Sequence, residues 1–186
     1  MSDRNSAPIP MSYKRAAHLL NPLRKFILSP SRLVNLLALN QSANVLELGC
    51  GPGYYSAKTA RKIPGGKLTL VDIQQEMLDM AKERMESFGL SNINYIRADA
   101  SRLPFEKDSF DVIFLVAMLG EVPDQEGCIR ELHRVLRSGG LVSVSEQSYD
   151  PHFIPASKMK NLMGDLFRFE REFGSRHNYT LNFRKQ

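Results

Sequence analysis

Three glycines at every second position form the part of this sequence best suited to hold a ligand. They are Gly49, Gly51 and Gly53, and they follow a short apolar run, Val45–Leu48, that predicts a strand. Glycine permits a tight turn and a close approach of ligand to backbone, and a helix after the turn presents unpaired N–H groups. Ligands of open α/β sheets bind beyond the carboxyl ends of the strands. The spacing therefore predicts a binding loop.

Two classes of ligand compete for such a loop. The dinucleotide fingerprint is G-x-G-x-x-G, with the pyrophosphate on the helix N-terminus. Here the third glycine comes one residue early, and Glu47 precedes the first glycine by two positions. A carboxylate at that place would repel a pyrophosphate and suits an ammonium group. The loop therefore favours a cationic ligand and disfavours a nicotinamide oxidoreductase.

The glycine loop belongs to a regular alternation of strands and helices. The predicted strands are Val45–Leu48, Lys67–Asp72, Ile93–Ile96, Phe110–Val116 and Leu141–Ser145, and the predicted helices between them are Tyr55–Ile63, Gln74–Phe88 and Asp124–Leu136. Strand-helix repetition predicts a parallel sheet with helices on both faces. Near the C-terminus, Leu166–Phe173 and Tyr179–Phe183 alternate at period two about a turn, which predicts an antiparallel hairpin. The fold class is therefore α/β, with seven strands.

The first forty residues precede this alternation. Tyr13–Leu20 predicts a short helix, and Pro30 opens a second one. We expect residues 1–40 to form a helical lid or extension and residues 41–186 to form the catalytic domain. A chain of 186 residues suits a single core, so the whole is expected to be one domain.

At the stretch Glu47–Gly53 the sequence resembles class I S-adenosylmethionine (SAM)-dependent methyltransferases, whose cofactor loop it matches. The resemblance covers about residues 33–147 and implies a Rossmann-like sheet. It implies that Asp72 binds both ribose hydroxyls, and that Asp99 and Ala100 meet the adenine, with Asp99 towards its amino group. The residues implied to bind SAM are Glu47, Gly49, Cys50, Gly51, Gly53, Tyr54, Asp72, Ile73, Met77, Asp99, Ala100 and Val116.

The resemblance also narrows the reaction. Leu103–Phe105 and Leu132–Gly140 are similar to the branch that includes the ubiquinone and menaquinone C-methyltransferases. This implies an in-line transfer of the SAM methyl group to a small-molecule acceptor, anionic or quinone- or lipid-like, with S-adenosylhomocysteine as product. A non-catalytic SAM-binding regulator or partner subunit stays open as the alternative. Val116–Gly120 lacks the Asn/Asp-Pro-Pro-aromatic motif of base and amide N-methyltransferases, which disfavours that chemistry.

No catalytic base is assigned from the sequence. The candidates are His18, Tyr13, Glu146 and His177. His18 is preferred because the basic segment 13–32 precedes the first strand and could cover the cofactor, although a surface or packing role is the simpler expectation for it. Alignment of nucleophile and methyl group supplies much of the rate enhancement, so such an enzyme needs few catalytic groups.

The cysteines and charges limit the remaining functions. Cys50 and Cys128 are too few for an arsenic methyltransferase and lack zinc-ligand spacing, and Cys50 is expected to fill a tight turn. The net charge of +5 is concentrated at both ends, where it could steer an anion or a membrane surface. Nucleic acid is disfavoured as a partner, while peripheral membrane contact and oligomeric state stay open. No apolar run spans a membrane and no secretory signal opens the chain, so we expect a cytoplasmic protein.

Overall fold

The computed structural model of the protein describes Ser12, Tyr13, Leu20 and residues 28–186. The predicted helix Tyr13–Leu20 falls almost wholly outside these residues, and so does the candidate base His18. The division into a lid of residues 1–40 and a domain of residues 41–186 therefore stays a prediction.

Seven strands form one sheet in the order β3-β2-β1-β4-β5-β7-β6. They are β1 (Asn44–Leu48), β2 (Lys67–Asp72), β3 (Ile93–Arg97), β4 (Phe110–Val116), β5 (Leu136–Gln147), β6 (Phe167–Ser175) and β7 (Asn178–Lys185). The first five strands are parallel, and β7 joins β5 and β6 in antiparallel pairs. The predicted α/β fold, with its mostly parallel sheet and C-terminal hairpin, is confirmed.

Helices cover both faces of this sheet. Among the described residues they are α1 (Pro30–Leu36), α2 (Ser56–Lys62), α3 (Gln75–Ser87), α4 (Gln125–Val135), α5 (Ala156–Met163) and a short 3-10 helix, Leu119–Glu121. Alternate residues of the buried strands point to opposite faces, so Val45 joins the cluster under α1 and α2 while Leu46 joins the cluster under α4 and α5. None of these helices is long and apolar enough to cross a bilayer.

Two elements differ from their prediction. Strand β5 begins at Leu136 and not at Leu141, because Leu136 already pairs with Phe110 and a register shift then absorbs the extra residues. Gly139 and Gly140 therefore lie within a strand and do not separate α4 from it. The segment 147–165, for which the sequence analysis predicts no helix or strand, contains helix α5, whose buried side chains Met159 and Met163 pack against the sheet.

The sheet order fixes where a ligand can bind. The chain moves outward from β1 to β3 and then returns to the other side of β1 at β4. In open sheets the crevice at such a reversal, outside the carboxyl ends of the strands, holds the ligand. The loops after β1, β2, β3 and β4 therefore surround one site, and we call this side of the sheet the carboxyl edge.

Candidate cofactor-binding site

The loop after β1 turns through three left-handed glycines. Their φ angles are +69° at Gly49, +51° at Gly51 and +78° at Gly53. Side chains other than glycine rarely adopt this conformation. The N–H groups of Gly49 and Cys50 both donate to the carbonyl of Val71 at the end of β2, at 2.8 and 3.1 Å. The turn that follows β1 is thus hydrogen-bonded to the neighbouring strand β2 as well as joined to β1.

Packing also excludes side chains from this loop. A Cβ atom on Gly49 would lie 2.3 Å from Cγ of Met118, which follows β4. A Cβ atom on Gly53 would lie 3.2 Å from Cε of Met85 and 3.3 Å from Cβ of Ala81, both on α3. The glycines therefore permit close contact with α3 and with the chain after β4, as well as access for a ligand.

Glu47 lies beneath the loop and is only 3% exposed. Its Oε2 accepts a hydrogen bond of 2.7 Å from the hydroxyl of Ser56, at the start of α2. Burial raises the pKa of Glu47 to about 8; the Ser56 hydrogen bond lowers the pKa, and the charge of Asp72 raises it. A cation bound above the loop would favour the ionised carboxylate.

Asp72, the last residue of β2, ties the glycine loop to the start of α3. Its Oδ2 accepts from the N–H of Gly51 at 2.9 Å, and its Oδ1 accepts from the N–H of Gln74 at 3.0 Å. Burial raises the pKa of Asp72, against the lowering effect of backbone hydrogen bonds from Gln74, Gly51 and Ile73. The acid implied to bind ribose therefore lies at the carboxyl edge beside the glycine loop, with its orientation fixed.

The two apolar residues implied to contact the cofactor differ in exposure. Ile73, next to Asp72, is 46% exposed, which is unusual for a large apolar side chain. Met77, one turn into α3, is 2% exposed and belongs to the interior. Ile73 thus presents an apolar surface to solvent at the carboxyl edge, while Met77 lies in the interior.

The loop after β3 places Asp99 and Ala100 at the same edge. Asp99 is exposed, and its Oδ1 accepts from the N–H and the hydroxyl of Ser101, at 2.8 and 2.7 Å. This turn holds the carboxylate in place through one oxygen. Ala100 is partly buried against the apolar cluster on the α4 side.

The end of β4 contributes a strained turn. Val116 is half-buried, and Ala117 follows it with a φ angle of +50°, which is uncommon for alanine. The N–H of Ala117 donates to the carbonyl of Ser145 in β5 at 2.8 Å. The turn directs the chain so that Met118 lies over Gly49. Met118 is a site residue that the sequence did not indicate.

Cys50 and Tyr54 complete the loop. Cys50 is buried, its thiol donates to the carbonyl of Gly51 at 3.4 Å, and burial raises the pKa of the thiol well above its usual range, with smaller increases from Glu47 and Asp72. A thiol of this kind is inert, as expected of a residue that fills a turn. Tyr54 is half-buried and stacks edge-to-face with Tyr55, at 4.9 Å between ring centres.

The three described base candidates lie at different places in the structure. Tyr13 is exposed, and its N–H donates to Oε1 of Gln74 at 3.1 Å, beside the cofactor acid. Glu146 is 2% exposed at the end of β5, and burial raises its pKa to about 8. His177 is exposed in the hairpin turn, where its Nε2 accepts from Nε of Arg176. The structure therefore does not bring any two of these three side chains together.

A comparison with families of known proteins agrees with this geometry. The family model described as "Methyltransferase domain" matches residues 45–140. The ubiquinone/menaquinone biosynthesis C-methyltransferase UbiE of Pasteurella multocida is 34% identical over 130 residues, which are 69% of this chain and 48% of that protein. The UbiE of Cronobacter sakazakii is 35% identical over 127 residues, 67% of this chain and 50% of that protein. The chain spans about half the length of these curated relatives.

A solved structure extends the likeness to nearly the whole chain. A SAM-dependent methyltransferase from Aquifex aeolicus superimposes with a TM-score of 0.88, over 95% of this chain and 100% of that one, at 18% identity. At that identity the likeness is one of fold. The sheet, the glycine loop and the family match together define a class I methyltransferase. The chain belongs to the SAM-dependent methyltransferase family, for which SAM is the cofactor.

Metal ions have no evident place in this site. Within residues 28–186 and the three described residues before them, no group of three His, Cys, Asp or Glu side chains could hold one. Both cysteines are free and buried.

Proposed function

We propose that the protein transfers a methyl group from SAM to a small-molecule acceptor and releases S-adenosylhomocysteine. The observation that carries this proposal is the hydrogen bond from Gly51 to Asp72, which joins the left-handed glycine turn to the acid at the end of β2. SAM supplies an electrophilic methyl group on a sulfonium. The protein's part is then to hold this group, to exclude water and to align the acceptor.

We assign the cofactor-binding residues as the family resemblance implies. Gly49, Gly51 and Gly53 give the methionine part access to the backbone, and Glu47 attracts its ammonium group from beneath the loop. Asp72 accepts from the ribose hydroxyls with the lone pairs that Gly51 and Gln74 leave free.

The adenine part of the proposed site lies beyond Asp72. Ile73 presents its exposed side chain to one face of the ring, above Met77. Asp99 accepts from the amino group with the oxygen that Ser101 leaves free, and Ala100 lies beside it. Val116, Cys50 and Tyr54 enclose the opposite side of the cofactor.

For the acceptor we propose an electron-rich ring of the hydroquinone type. The support is the similarity to the two UbiE proteins, whose names give C-methylation in ubiquinone and menaquinone biosynthesis. In C-methylation a ring carbon attacks the methyl carbon, the sulfur–carbon bond breaks, and the ring carbon then loses its proton. A hydroquinone ring can donate the electron pair, whereas the oxidised quinone is itself an electrophile.

Of the described base candidates, we propose Glu146 as the proton acceptor. It lies at the carboxyl edge, and its Oε1 is buried without a hydrogen-bond partner. A pKa near 8 suits a general base close to neutral pH. For residues 1–40 we propose a lid, supported by the hydrogen bond from Tyr13 to Gln74 and by the packing of α1 beside the site.

Thermal unfolding with added ligands tests the cofactor assignment. S-adenosylhomocysteine or SAM at a hundred times its dissociation constant stabilises a fold by roughly 2.7 kcal/mol. For a chain of this size we expect the midpoint to rise by roughly 5–10 °C, with no shift from NADH. Asp72→Ala should abolish the shift, and the exposed Asp79→Ala on α3 should keep it.

Labelled SAM then tests catalysis. Label transferred to a reduced hydroquinone such as naphthalene-1,4-diol supports an enzyme with this acceptor class. Binding of S-adenosylhomocysteine without transfer to any acceptor in a cell extract would indicate a non-catalytic subunit. A folded protein that responds to neither sulfur cofactor would contradict the proposal as a whole.

A further inference from the structure

Glu47 places a carboxyl group in an apolar part of the sheet. Its register partners on the neighbouring strands are Leu70 of β2 and Phe114 of β4, and both side chains are fully buried. Glu47 itself is only 3% exposed. An ionised carboxylate in such surroundings is costly unless a positive charge lies beside it, and an acid without one takes up a proton instead. The state of Glu47 therefore depends on whether a cation is present.

The described part of the chain supplies no such cation. None of the ion pairs among the described residues includes Glu47, and the basic side chains of α2 are all exposed. The charge of Asp72 acts in the opposite sense, since it disfavours a second negative charge. Cys50, the other titratable group beside Glu47, is a neutral thiol because burial raises its pKa. Without a ligand, the surroundings of Glu47 therefore favour the protonated acid.

Ser56 holds the carboxyl group in place from the first position of α2. It is fully buried, and its hydroxyl donates to Oε2 of Glu47 at 2.7 Å. A hydroxyl can donate to the acid and to the carboxylate, and it binds the carboxylate more strongly. The hydrogen bond thus opposes the effect of burial on the pKa of Glu47. Ser56 fixes one oxygen of the carboxyl group and keeps its proton exchangeable.

The cofactor brings the missing positive charge. SAM and S-adenosylhomocysteine both carry an ammonium group on the methionine part, which the proposed function places at the glycine loop above Glu47. When this ammonium group binds, the O–H bond of Glu47 breaks and its proton passes to solvent. The carboxylate then pairs with the ammonium group, which keeps its own three hydrogens. The buried carboxyl group is neutral before binding and paired afterwards, so it is never an unpaired charge.

We propose that cofactor binding exchanges the proton of Glu47 for the ammonium group of the cofactor, and that Ser56 is the positioning residue that holds the carboxyl group for this exchange. The inference rests on the proposed methyltransferase function and adds to it a regulation of the same site by pH. It follows that acid conditions weaken cofactor binding through competition by protons. Ser56 acts through Glu47 and takes no part in methyl transfer.

Calorimetry counts the exchanged proton directly. S-adenosylhomocysteine is titrated into the full chain at about pH 6.5, in two buffers with different enthalpies of ionisation. We expect the wild type to release about one proton for each ligand bound, because burial holds the pKa of Glu47 at about 8 before binding. Glu47→Gln has no proton to exchange and should release none.

The pH dependence of affinity gives a second measurement. Between about pH 5.5 and 7.5 the dissociation constant of S-adenosylhomocysteine should fall about 10-fold for each pH unit, as for the release of one proton. The control ligand is 5′-methylthioadenosine, which keeps the adenosine and lacks the ammonium group. Its dissociation constant should change less than about twofold over this range, so titration of Asp72 or Asp99 is measured separately. Its binding by Glu47→Gln also reports whether that variant is folded.

Ser56→Ala tests the positioning role. At about pH 7 this variant should bind S-adenosylhomocysteine about 10-fold more weakly, because the carboxylate loses a hydrogen bond, and should bind 5′-methylthioadenosine as the wild type does. Thr59→Ala is the matched control. Thr59 lies on the same helix and is fully buried, but its hydroxyl donates to the carbonyl of Tyr55 at 3.1 Å and not to Glu47. This variant should bind both ligands as the wild type does.

The two proposals fail in different ways. A folded wild-type protein that binds neither ligand at any pH would overturn the proposed function. Binding of S-adenosylhomocysteine without proton release, or proton release that persists in Glu47→Gln, would overturn the exchange and leave the proposed function intact. An equal loss of affinity for both ligands in Ser56→Ala would show that Ser56 supports the fold and does not position Glu47.

Discussion

Gly49 and Gly89 share a left-handed backbone, but only Gly49 is crowded. Their φ angles are +69° and +66°, and a Cβ atom on Gly89 would meet nothing within 4 Å. We expect Gly89→Ala to cost about 1 kcal/mol, the ordinary penalty of this conformation. Gly49→Ala carries the same penalty and also forces Met118 to move. Urea unfolding and S-adenosylhomocysteine binding of both variants measure the difference. An equal loss of stability in both variants would show that Met118 does not crowd Gly49.

Glu47 contributes to the pH dependence of stability, as does Glu146, whose pKa burial also raises to about 8. The pKa of Glu47 rises from 4.5 to about 8 on folding. The folded protein therefore holds a proton that the unfolded chain releases, so this contribution is complete below pH 4.5 and is lost as pH rises through 8. The loss can reach about 5 kcal/mol. We expect Glu47→Gln to flatten the fall in unfolding free energy between pH 5 and 9, measured by urea unfolding.

A control separates this effect from the loss of any carboxyl group. Glu83→Gln removes an exposed acid of α3 and should leave the slope of stability against pH as steep as in the wild type. A fall in stability between pH 5 and 9 that is as steep in Glu47→Gln as in the wild type would show that Glu47 is ionised in the folded protein.

Single residues of the cofactor loop were predictable because the conformation of the loop depends on residues that are close in sequence. Gly49, Gly51 and Gly53 stand within five positions, and left-handed turns leave a sequence signature. Met118 had no such signature, since its position over Gly49 depends on the turn at Ala117. The exposure of Ile73 and the burial of Met77 likewise arise from tertiary packing.

At the scale of elements, Arg134 connects helix α4 to the loop before β4. Its guanidinium donates to the carbonyls of Phe105 and Leu103, at 2.6 and 2.9 Å, and to Glu131. We expect Arg134→Met to lower the unfolding free energy by about 2–3 kcal/mol, because two part-buried carbonyls and Glu131 lose a charged donor. Arg130→Met on the same helix breaks only an exposed pair with Glu126 and should cost less than about 0.5 kcal/mol. Chemical denaturation compares the unfolding free energies of the two variants. Similar losses of stability would contradict the role of Arg134 in connecting α4 to the loop before β4.

Most elements were predictable from periodicity, and the exceptions have physical causes. Strand β4 is nearly all apolar and has its predicted bounds, Phe110–Val116. The early start of β5 was not predictable, because two consecutive glycines usually end an element and only the register with β4 keeps this one extended. Helix α5 has only a weak sequence signature because its apolar face is short, although Met159 and Met163 have helical spacing.

At the scale of the whole molecule, the hairpin completes the core on the α4 side. Phe183 of β7 is fully buried there, and we expect Phe183→Ala to cost about 3–5 kcal/mol. Phe88→Ala, at an exposed ring beside Arg61 and Arg84, should cost less than about 1 kcal/mol. Since the core and the cofactor site are separate, S-adenosylhomocysteine should raise the midpoint equally in both variants. Thermal unfolding with and without ligand measures both effects; an unequal ligand shift would show coupling.

The two halves of the proposed site differ in how far sequence could identify them. The cofactor half consists of loops that follow strands in order, so motif spacing indicates it. The acceptor half contains the proposed base Glu146, and only the folded sheet buries this carboxyl group at the end of β5. Polar residues at strand ends are common, so the sequence could not choose Glu146 from the other base candidates until its burial was known.

The edge-to-face pair of Tyr54 and Tyr55 also provides an optical reporter. The chain contains six tyrosines and no tryptophan, so its near-ultraviolet circular dichroism comes from tyrosine and phenylalanine. The two rings are held 4.9 Å apart and nearly perpendicular, and Tyr54 directly follows Gly53. Occupation of the glycine loop should therefore change this spectrum, and ligand binding can be followed in the unmodified protein without a dye or a label.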